Sequence, residues 1–173
     1  MKLTILVILV LSLAFLSFGA SRDSSINSKE TPQPAFEKAL EMSTAEMSRR
    51  GGGRVFCFLA RSKTTGSGGG WVFHFINEKD GVTIVRITEN GEVSSRARTD
   101  VAELPKRLPI GVAEGYNAAK QTVKEAREPC VITSAMSLQG AWHFDFVTAS
   151  GLQLEVKVSA NGESRLHRVR GVH

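Results

Sequence analysis

The chain contains two cysteines, four histidines and scattered carboxylates as its candidates for chemistry. Cys57 and His74 could be imagined as a thiol nucleophile and its base. Cys57, however, lies in the apolar run Val55–Leu59, where burial raises the pKa of a thiol and makes it unreactive. No Gly-x-Ser-x-Gly motif is present to mark a serine nucleophile. We therefore predict a protein that is not an enzyme and has no catalytic residues.

The histidines are His74, His143, His167 and His173. A metal site needs three or four ligands that converge with fixed geometry, and these positions show no paired metal-ligand spacing. Asp145 shares one face of an extended segment with His143, so a site where two halves of the protein meet is conceivable. We favour surface histidines, and predict neither a metal nor a cofactor.

The first 20 residues are typical of a secretory signal peptide. Lys2 precedes the apolar run Leu3–Phe18, and the small residues Gly19 and Ala20 follow it. We predict a signal peptide over residues 1–20 and a secreted or periplasmic protein, with an uncleaved membrane anchor as the alternative. The formal net charge of +5 is modest and 17 acids are mixed through the chain, so nucleic-acid binding is not inferred.

In an exported protein, Cys57 and Cys130 face an oxidising compartment. Cys57 precedes Trp71 by 14 positions and Cys130 precedes Trp142 by 12, which fits equivalent strands if the first hairpin loop is two residues longer. We predict a disulfide between the two cysteines. The alternative is two buried free thiols, since cysteine behaves as a small hydrophobe.

One pattern occurs twice in the chain. Trp71–Phe75 runs on to Asn90–Gly91, and Trp142–Phe146 runs on to Asn161–Gly162, with the same spacing of 20 from tryptophan to glycine. Aromatic residues alternate with others in both, so they share one face of an extended strand, and we predict that this face is buried. Each Asn-Gly pair is predicted to form a type I′ hairpin turn.

Two segments have the apolar spacing of amphipathic helices, at residues 35–50 and from 110 or 111 to about 127. Four strand-like segments follow each of them, and the last, residues 163–170, is basic and is predicted to be an edge strand. We therefore predict an α+β fold of two pseudo-repeats, each a helix packed on a curled antiparallel four-stranded meander. The predicted organisation is a signal peptide at 1–20, a flexible leader at 21–34, a first repeat at 35–98, a connector at 99–109 and a second repeat at 110–173.

This arrangement resembles the PepSY domain, a small extracytoplasmic module of the cystatin-like kind. The second half is the more similar, from the helix around Tyr116 through Trp142–Phe146 and Leu154–Val158 to Asn161–Glu163. The resemblance implies a non-catalytic module, found in peptidase propeptides and cell-envelope proteins, that restrains peptidases or binds other envelope partners. It implies no catalytic residues.

The expected function is therefore an exported, non-catalytic binding or inhibitory module with a protein partner in the cell envelope or extracellular space, such as a peptidase. We expect no nucleic-acid partner, and no membrane partner once the signal peptide is removed. One alternative is a small secreted enzyme or ligand carrier that uses a cavity between helix and sheet. Another is a purely structural envelope protein.

Overall fold

In a computed structural model, the described residues are 34–51, 54–63, 69–77, 81–98, 105–125 and 128–170, with only the backbone of residues 168–170 described. The predicted signal peptide and the leader up to residue 33 lie outside these ranges. So do residues 64–68 of the first hairpin loop, residues 99–104 of the connector, and His173.

The described chain forms two helices and eight strands. Helix α1 is Phe36–Arg49 and α2 is Val112–Lys124. The strands are β1 (Val55–Lys63), β2 (Gly70–Asn77), β3 (Gly81–Thr88), β4 (Val93–Arg98), β5 (Cys130–Leu138), β6 (Ala141–Thr148), β7 (Gln153–Ser159) and β8 (Ser164–Arg170). Both predicted helices are confirmed, with ends shifted by one to three residues, and four strands follow each of them, as predicted. No helix of the described ranges is long and apolar enough to cross a bilayer.

All eight strands belong to a single antiparallel sheet in the order β4-β3-β2-β1-β5-β6-β7-β8. The prediction of two pseudo-repeats, each with its own helix and four-stranded sheet, is wrong on this point. Strands β1 and β5 pair with each other through Leu59–Met136, Ala60–Ala135 and Arg61–Ser134. That pairing gives their backbone N–H and C=O groups partners that an edge strand lacks. The free edges are β4 and β8, which confirms the edge position of the last strand.

The two helices cover one face of the sheet, α1 over β2 to β4 and α2 over β5 to β8. The predicted aromatic face lies beneath them and is buried, as expected. Its members are Trp71, Phe73, Phe75, Trp142, Phe144 and Phe146, each no more than 3% exposed. These large apolar side chains leave water together and contribute to one shared core.

Each tryptophan also fixes the start of a helix. The indole Nε1–H of Trp71 donates to the carbonyl of Pro34 at 2.9 Å, and that of Trp142 donates to the carbonyl of Ile110 at 3.0 Å. Both carbonyls lie two residues before the first helical residue. A buried indole N–H needs an acceptor, so these bonds satisfy the indoles and tie each helix to its part of the sheet.

The Asn-Gly turns differ from the prediction. Type I′ needs positive φ at both central residues. In each Asn-Gly turn, φ is positive at the glycine alone, at 81° for Gly91 and 87° for Gly162. The amide of Gly91 donates to the carbonyl of Thr88 at 3.0 Å, so the turn is a three-residue loop that ends with glycine in the left-handed region. The two-residue turn with positive φ at both positions is Gln139–Gly140.

Candidate functional site

A cleft of about 760 Å³ lies between α1 and α2, above the strands at the centre of the sheet. Its α1 wall runs from Phe36 to Ser48. At 1.5 Å per residue this is a length of about 18 Å. The other wall is the first turns of α2 together with residues 107–111, which precede that helix. The cleft therefore extends for about 18 Å along α1 and is partly open to solvent.

Most of the lining is apolar. The apolar groups include Leu40, Met47, Val55, Phe75, Leu108 and Ile110. Leu40, Val55, Leu108 and Ile110 are only partly buried, although they pack against the main core. A partly exposed apolar groove gains free energy when a ligand removes it from water, at about 25 cal/mol per Å² of buried area.

Three polar side chains of the α1 wall, Glu41, Thr44 and Ser48, are bonded within their own helix. Glu41 accepts from Lys38 Nζ at 3.0 Å, and the hydroxyl of Thr44 donates to the carbonyl of Leu40 at 2.8 Å. The hydroxyl of Ser48 donates to the carbonyl of Thr44 at 3.1 Å. These hydrogen bonds give the three polar side chains partners on their own helix. The three side chains form no nucleophile–base pair across the cleft.

A polar and aromatic bridge joins the two helices. Lys120 Nζ on α2 lies 2.7 Å from Glu37 Oε1 on α1 and 5.2 Å from the ring centroid of Tyr116. The rings of Phe36 and Tyr116 lie 4.6 Å apart. Partial burial raises the pKa of Glu37, but the hydrogen bond and charge of Lys120 outweigh it and bring the pKa below its usual value.

Tyr116 stays neutral at this bridge. Burial first, and then the neighbouring carboxylate of Glu37, raise the pKa of the Tyr116 phenol to about 12. A neutral phenol beside an ionised carboxylate acts as a hydrogen-bond donor. The bridge therefore holds α1 against α2 through a salt bridge and a ring contact.

Cys57 is at the floor of the cleft and is a free thiol, as is Cys130. The predicted disulfide is not formed. Both cysteines precede the Ala60–Ala135 pair, and their strands run in opposite directions, so the two thiols lie toward opposite ends of the sheet. Burial raises the pKa of the Cys57 thiol to about 12, and burial followed by the Glu128 charge also raises the pKa of Cys130.

His74 cannot act on Cys57. In the β1–β2 ladder, Cys57 pairs with Phe75 and points toward the helices, whereas His74 points to the uncovered face. Its neighbour there is Phe58, whose ring lies 5.8 Å away. The geometry thus separates the one thiol–imidazole pair that the sequence suggested.

His143 also lies on the uncovered face, where its Nδ1 is 2.8 Å from Glu155 Oε1. The ring of His167 lies 6.0 Å from the ring of His143, and Asp145 accepts a hydrogen bond from Ser134. Within the described ranges, no three His, Cys, Asp or Glu side chains form a group that could hold a metal ion. His143 and His167 are therefore neighbours without a third ligand.

The sequence located the floor of the cleft but missed one of its walls. Trp142 and Phe75 were predicted to be buried, and Leu40 lies in the segment 35–50 that was predicted to be an amphipathic helix. Leu108 was placed in the predicted connector at 99–109, and Ile110 was predicted only as a possible first residue of the second helix. The sequence signal for this wall was the apolar residue on each side of Pro109. A connector that lies in water does not need apolar side chains there.

No family model and no curated protein matches the sequence. Among solved structures, the chain is similar to the Bacillus megaterium YpeB C-terminal domain, with 18% identity over 82% of this chain and 70% of that chain and a TM-score of 0.29. A likeness at that TM-score decides neither the fold nor the function. The resemblance to PepSY domains stays a prediction.

Proposed function

We propose that this chain is a non-catalytic binding module whose cleft between α1 and α2 takes an apolar stretch of a partner protein. The observation that carries the proposal is the open apolar cleft of about 760 Å³. Recognition of this kind needs no reactive group in the protein. The bonded polar groups of the α1 wall and the high pKa of the Cys57 thiol support a binding role over a catalytic one.

The shape of the cleft favours a peptide over a compact small molecule. An extended peptide rises about 3.3 Å per residue, so a wall of about 18 Å matches five or six residues. Alternate side chains of such a peptide would point into the cleft and the others toward solvent. A carrier of small molecules more often encloses its ligand on most sides.

The class of partner comes from the sequence alone. The predicted signal peptide and the resemblance to modules of peptidase propeptides and envelope proteins support a partner in the cell envelope or extracellular space. A peptidase that presents an extended apolar segment is one such partner, and the module would then act as its inhibitor.

Fluorescence polarisation with labelled six-residue peptides, in which leucine alternates with polar residues, tests the proposal. Leu40→Lys puts a charge on the α1 wall and should weaken binding of the best peptide at least tenfold, a loss of about 1.4 kcal/mol. Leu138→Lys is the matched control, because Leu138 is 44% exposed at the β5–β6 hairpin, outside the cleft lining. This control should bind like the unsubstituted protein.

Two results would contradict the proposal. Equal peptide affinity for the Leu40 and Leu138 variants would place the binding surface outside the cleft. Tight binding of a fluorescent fatty acid, with no peptide bound, would indicate a ligand carrier instead. Thermal unfolding of both variants first establishes that they are folded.

A further inference from the structure

The face of β1 to β4 opposite the helices carries positive charge only. These four strands contain five basic residues and no aspartate or glutamate. The basic residues are Arg61, Lys63, Arg86, Arg96 and Arg98, and the strand registers place all five on the uncovered face. We call this surface the basic face.

The basic residues stand beside apolar neighbours that are nevertheless buried. Arg98 pairs with Val82, and Arg96 pairs with Ile84. Val82 is 2% exposed and Ile84 is 5% exposed, although neither helix covers this side of the sheet. Val82 and Ile84 pack with Ile76 and with the partly buried Phe56, Phe58 and Val72. The face therefore presents charged groups beside a small apolar cluster.

His74 reports the electrostatic potential of the basic face. Burial lowers the pKa of its imidazole, and repulsion from Arg61, Arg98 and Arg96 lowers it further. Three arginines thus act on one side chain at the centre of the face. The potential is positive across the strands, not only beside one residue.

The rest of the uncovered side has mixed charge. On β6 and β7, Asp145 and Glu155 share that side with Lys157. By contrast, the exposed Arg61, Arg86 and Arg96 have no carboxylate partner within the described ranges. Four of the five basic residues are arginines, whose planar fork matches phosphate oxygens.

We propose that the basic face binds a linear phosphate polymer. The five basic residues follow an arc from Arg98 and Arg96 through Arg86 to Arg61 and Lys63, a path of roughly 30 Å at the usual strand and residue spacings. A flexible chain of phosphates can follow this arc over a twisted sheet, whereas a planar lipid surface cannot meet all of it. The apolar cluster of this face is at most partly exposed, so it offers a bilayer little to insert. This site is separate from the cleft between the helices.

Binding of labelled long-chain inorganic polyphosphate, measured over a range of salt concentrations, tests the proposal. Arg61→Gln/Arg86→Gln/Arg96→Gln removes three charges from the face. Each phosphate contact adds about 0.7 to the slope of log affinity against log salt, so the variant should lose about 2 from that slope and roughly 100-fold in affinity near 0.1 M salt. The control, Lys38→Gln/Arg54→Gln/Lys124→Gln, removes the same charge from exposed positions outside the face. It should keep the slope.

Equal losses in the two triple variants would show that net charge alone attracts the polymer, and would overturn the proposal. An unchanged slope in the face variant would also overturn it. So would a protein that sediments with phosphatidylglycerol vesicles but does not bind polyphosphate, because the face would then recognise a membrane. Circular dichroism of both variants establishes that each is folded.

Discussion

At the scale of single residues, the most constrained charge is Glu46 on α1. Its side chain is 8% exposed, and its carboxylate accepts hydrogen bonds from the Ser95 hydroxyl on β4 and from Arg49. Arg50 also donates to the Ser95 hydroxyl, at 3.0 Å. The hydrogen bond from Ser95 lowers the pKa of Glu46 first, and the hydrogen bond and charge of Arg49 lower it further against the effect of burial. This carboxylate therefore fastens the end of α1 to the edge of the sheet.

Glu46→Gln should lower the free energy of unfolding by about 1–2 kcal/mol at neutral pH, since a buried charged acceptor of hydrogen bonds from Ser95 and Arg49 is lost. The folded-state pKa lies below the usual value of 4.5, so the stabilisation is complete above that pH and is lost as the pH falls through the lowered pKa. The difference from the unsubstituted protein should therefore shrink below about pH 4.5. Urea unfolding at several pH values measures it.

Glu41→Gln is the control, because Glu41 is on the same helix, 70% exposed, and paired only with Lys38 among the described residues. Its effect should stay below about 0.5 kcal/mol at every pH. A constant difference between the Glu46 variant and the unsubstituted protein from pH 2 to pH 7 would contradict the assignment.

The cysteines show where residue spacing is insufficient. The predicted bridge assumed a first hairpin loop two residues longer than the second. The registers make it four residues longer, since Ser62 pairs with Trp71 at a separation of 9 and Ser137 pairs with Trp142 at a separation of 5. The position equivalent to Cys57 is therefore Ile132, as both pair with a buried phenylalanine. Loop length and strand register both affect the number of residues between each cysteine and its tryptophan. The sequence alone does not separate these two contributions.

At the scale of elements, α2 has a glycine where a helix normally avoids one. Gly115 is buried, and a Cβ built there would lie 3.1 Å from ring atoms of Trp142 and Phe144. These rings are 2% and 0% exposed and cannot move aside easily. Gly115 therefore lets α2 approach the sheet closely, and this is the reason for its place in the helix.

Gly115→Ala should destabilise the protein by about 1 kcal/mol. Alanine improves helix propensity by about 1 kcal/mol, but an added methyl group in a filled core costs about 1–3 kcal/mol. Asn117→Ala, at an exposed position two residues later, gains propensity without the contact and should stabilise slightly. Chemical denaturation of both variants measures the balance. A Gly115 variant more stable than the unsubstituted protein would mean that the rings adjust.

Element types were predictable from the sequence, whereas turn geometry and strand joining were not. The period of two in β2 and β6 and the helical spacing in α1 and α2 follow from which face is buried. An Asn-Gly pair fits both a type I′ turn and the end of a three-residue loop, so composition does not choose between them. The junction of β1 and β5 depends on Ala60 facing Ala135, and a small residue in a strand leaves no distinctive pattern.

At the scale of the whole molecule, the joined sheet and the bridged helices create the candidate site. The cleft lies above the junction of β1 and β5, between helices that belong to different halves of the sequence. The burial of its floor residues could be predicted from the sequence. That these residues line one groove together could not. A long-range strand pairing sets that arrangement, and local periodicity does not report it.

The core beneath the helices spans both halves of the sheet and should make the described molecule unfold as one cooperative unit. One apolar cluster includes Phe73 and Val85 under α1 as well as Phe144 and Val156 under α2, and Phe36 contacts Tyr116 across the cleft. Losing either half would expose the core of the other, so intermediates with one folded half should not accumulate.

Two single-tryptophan variants, Trp71→Phe and Trp142→Phe, leave one fluorescent reporter in each half of the sheet. Within each background, the fluorescence transition in urea should coincide with the transition seen by circular dichroism. Val85→Ala and Val156→Ala, both at fully buried positions, should each lower that common midpoint through a loss of about 2 kcal/mol, because a core cavity in either half weakens the whole unit. A Val85 variant that shifts the fluorescence transition of Trp71 but not that of Trp142 would show that the halves unfold separately, and the cleft would then lack a rigid floor.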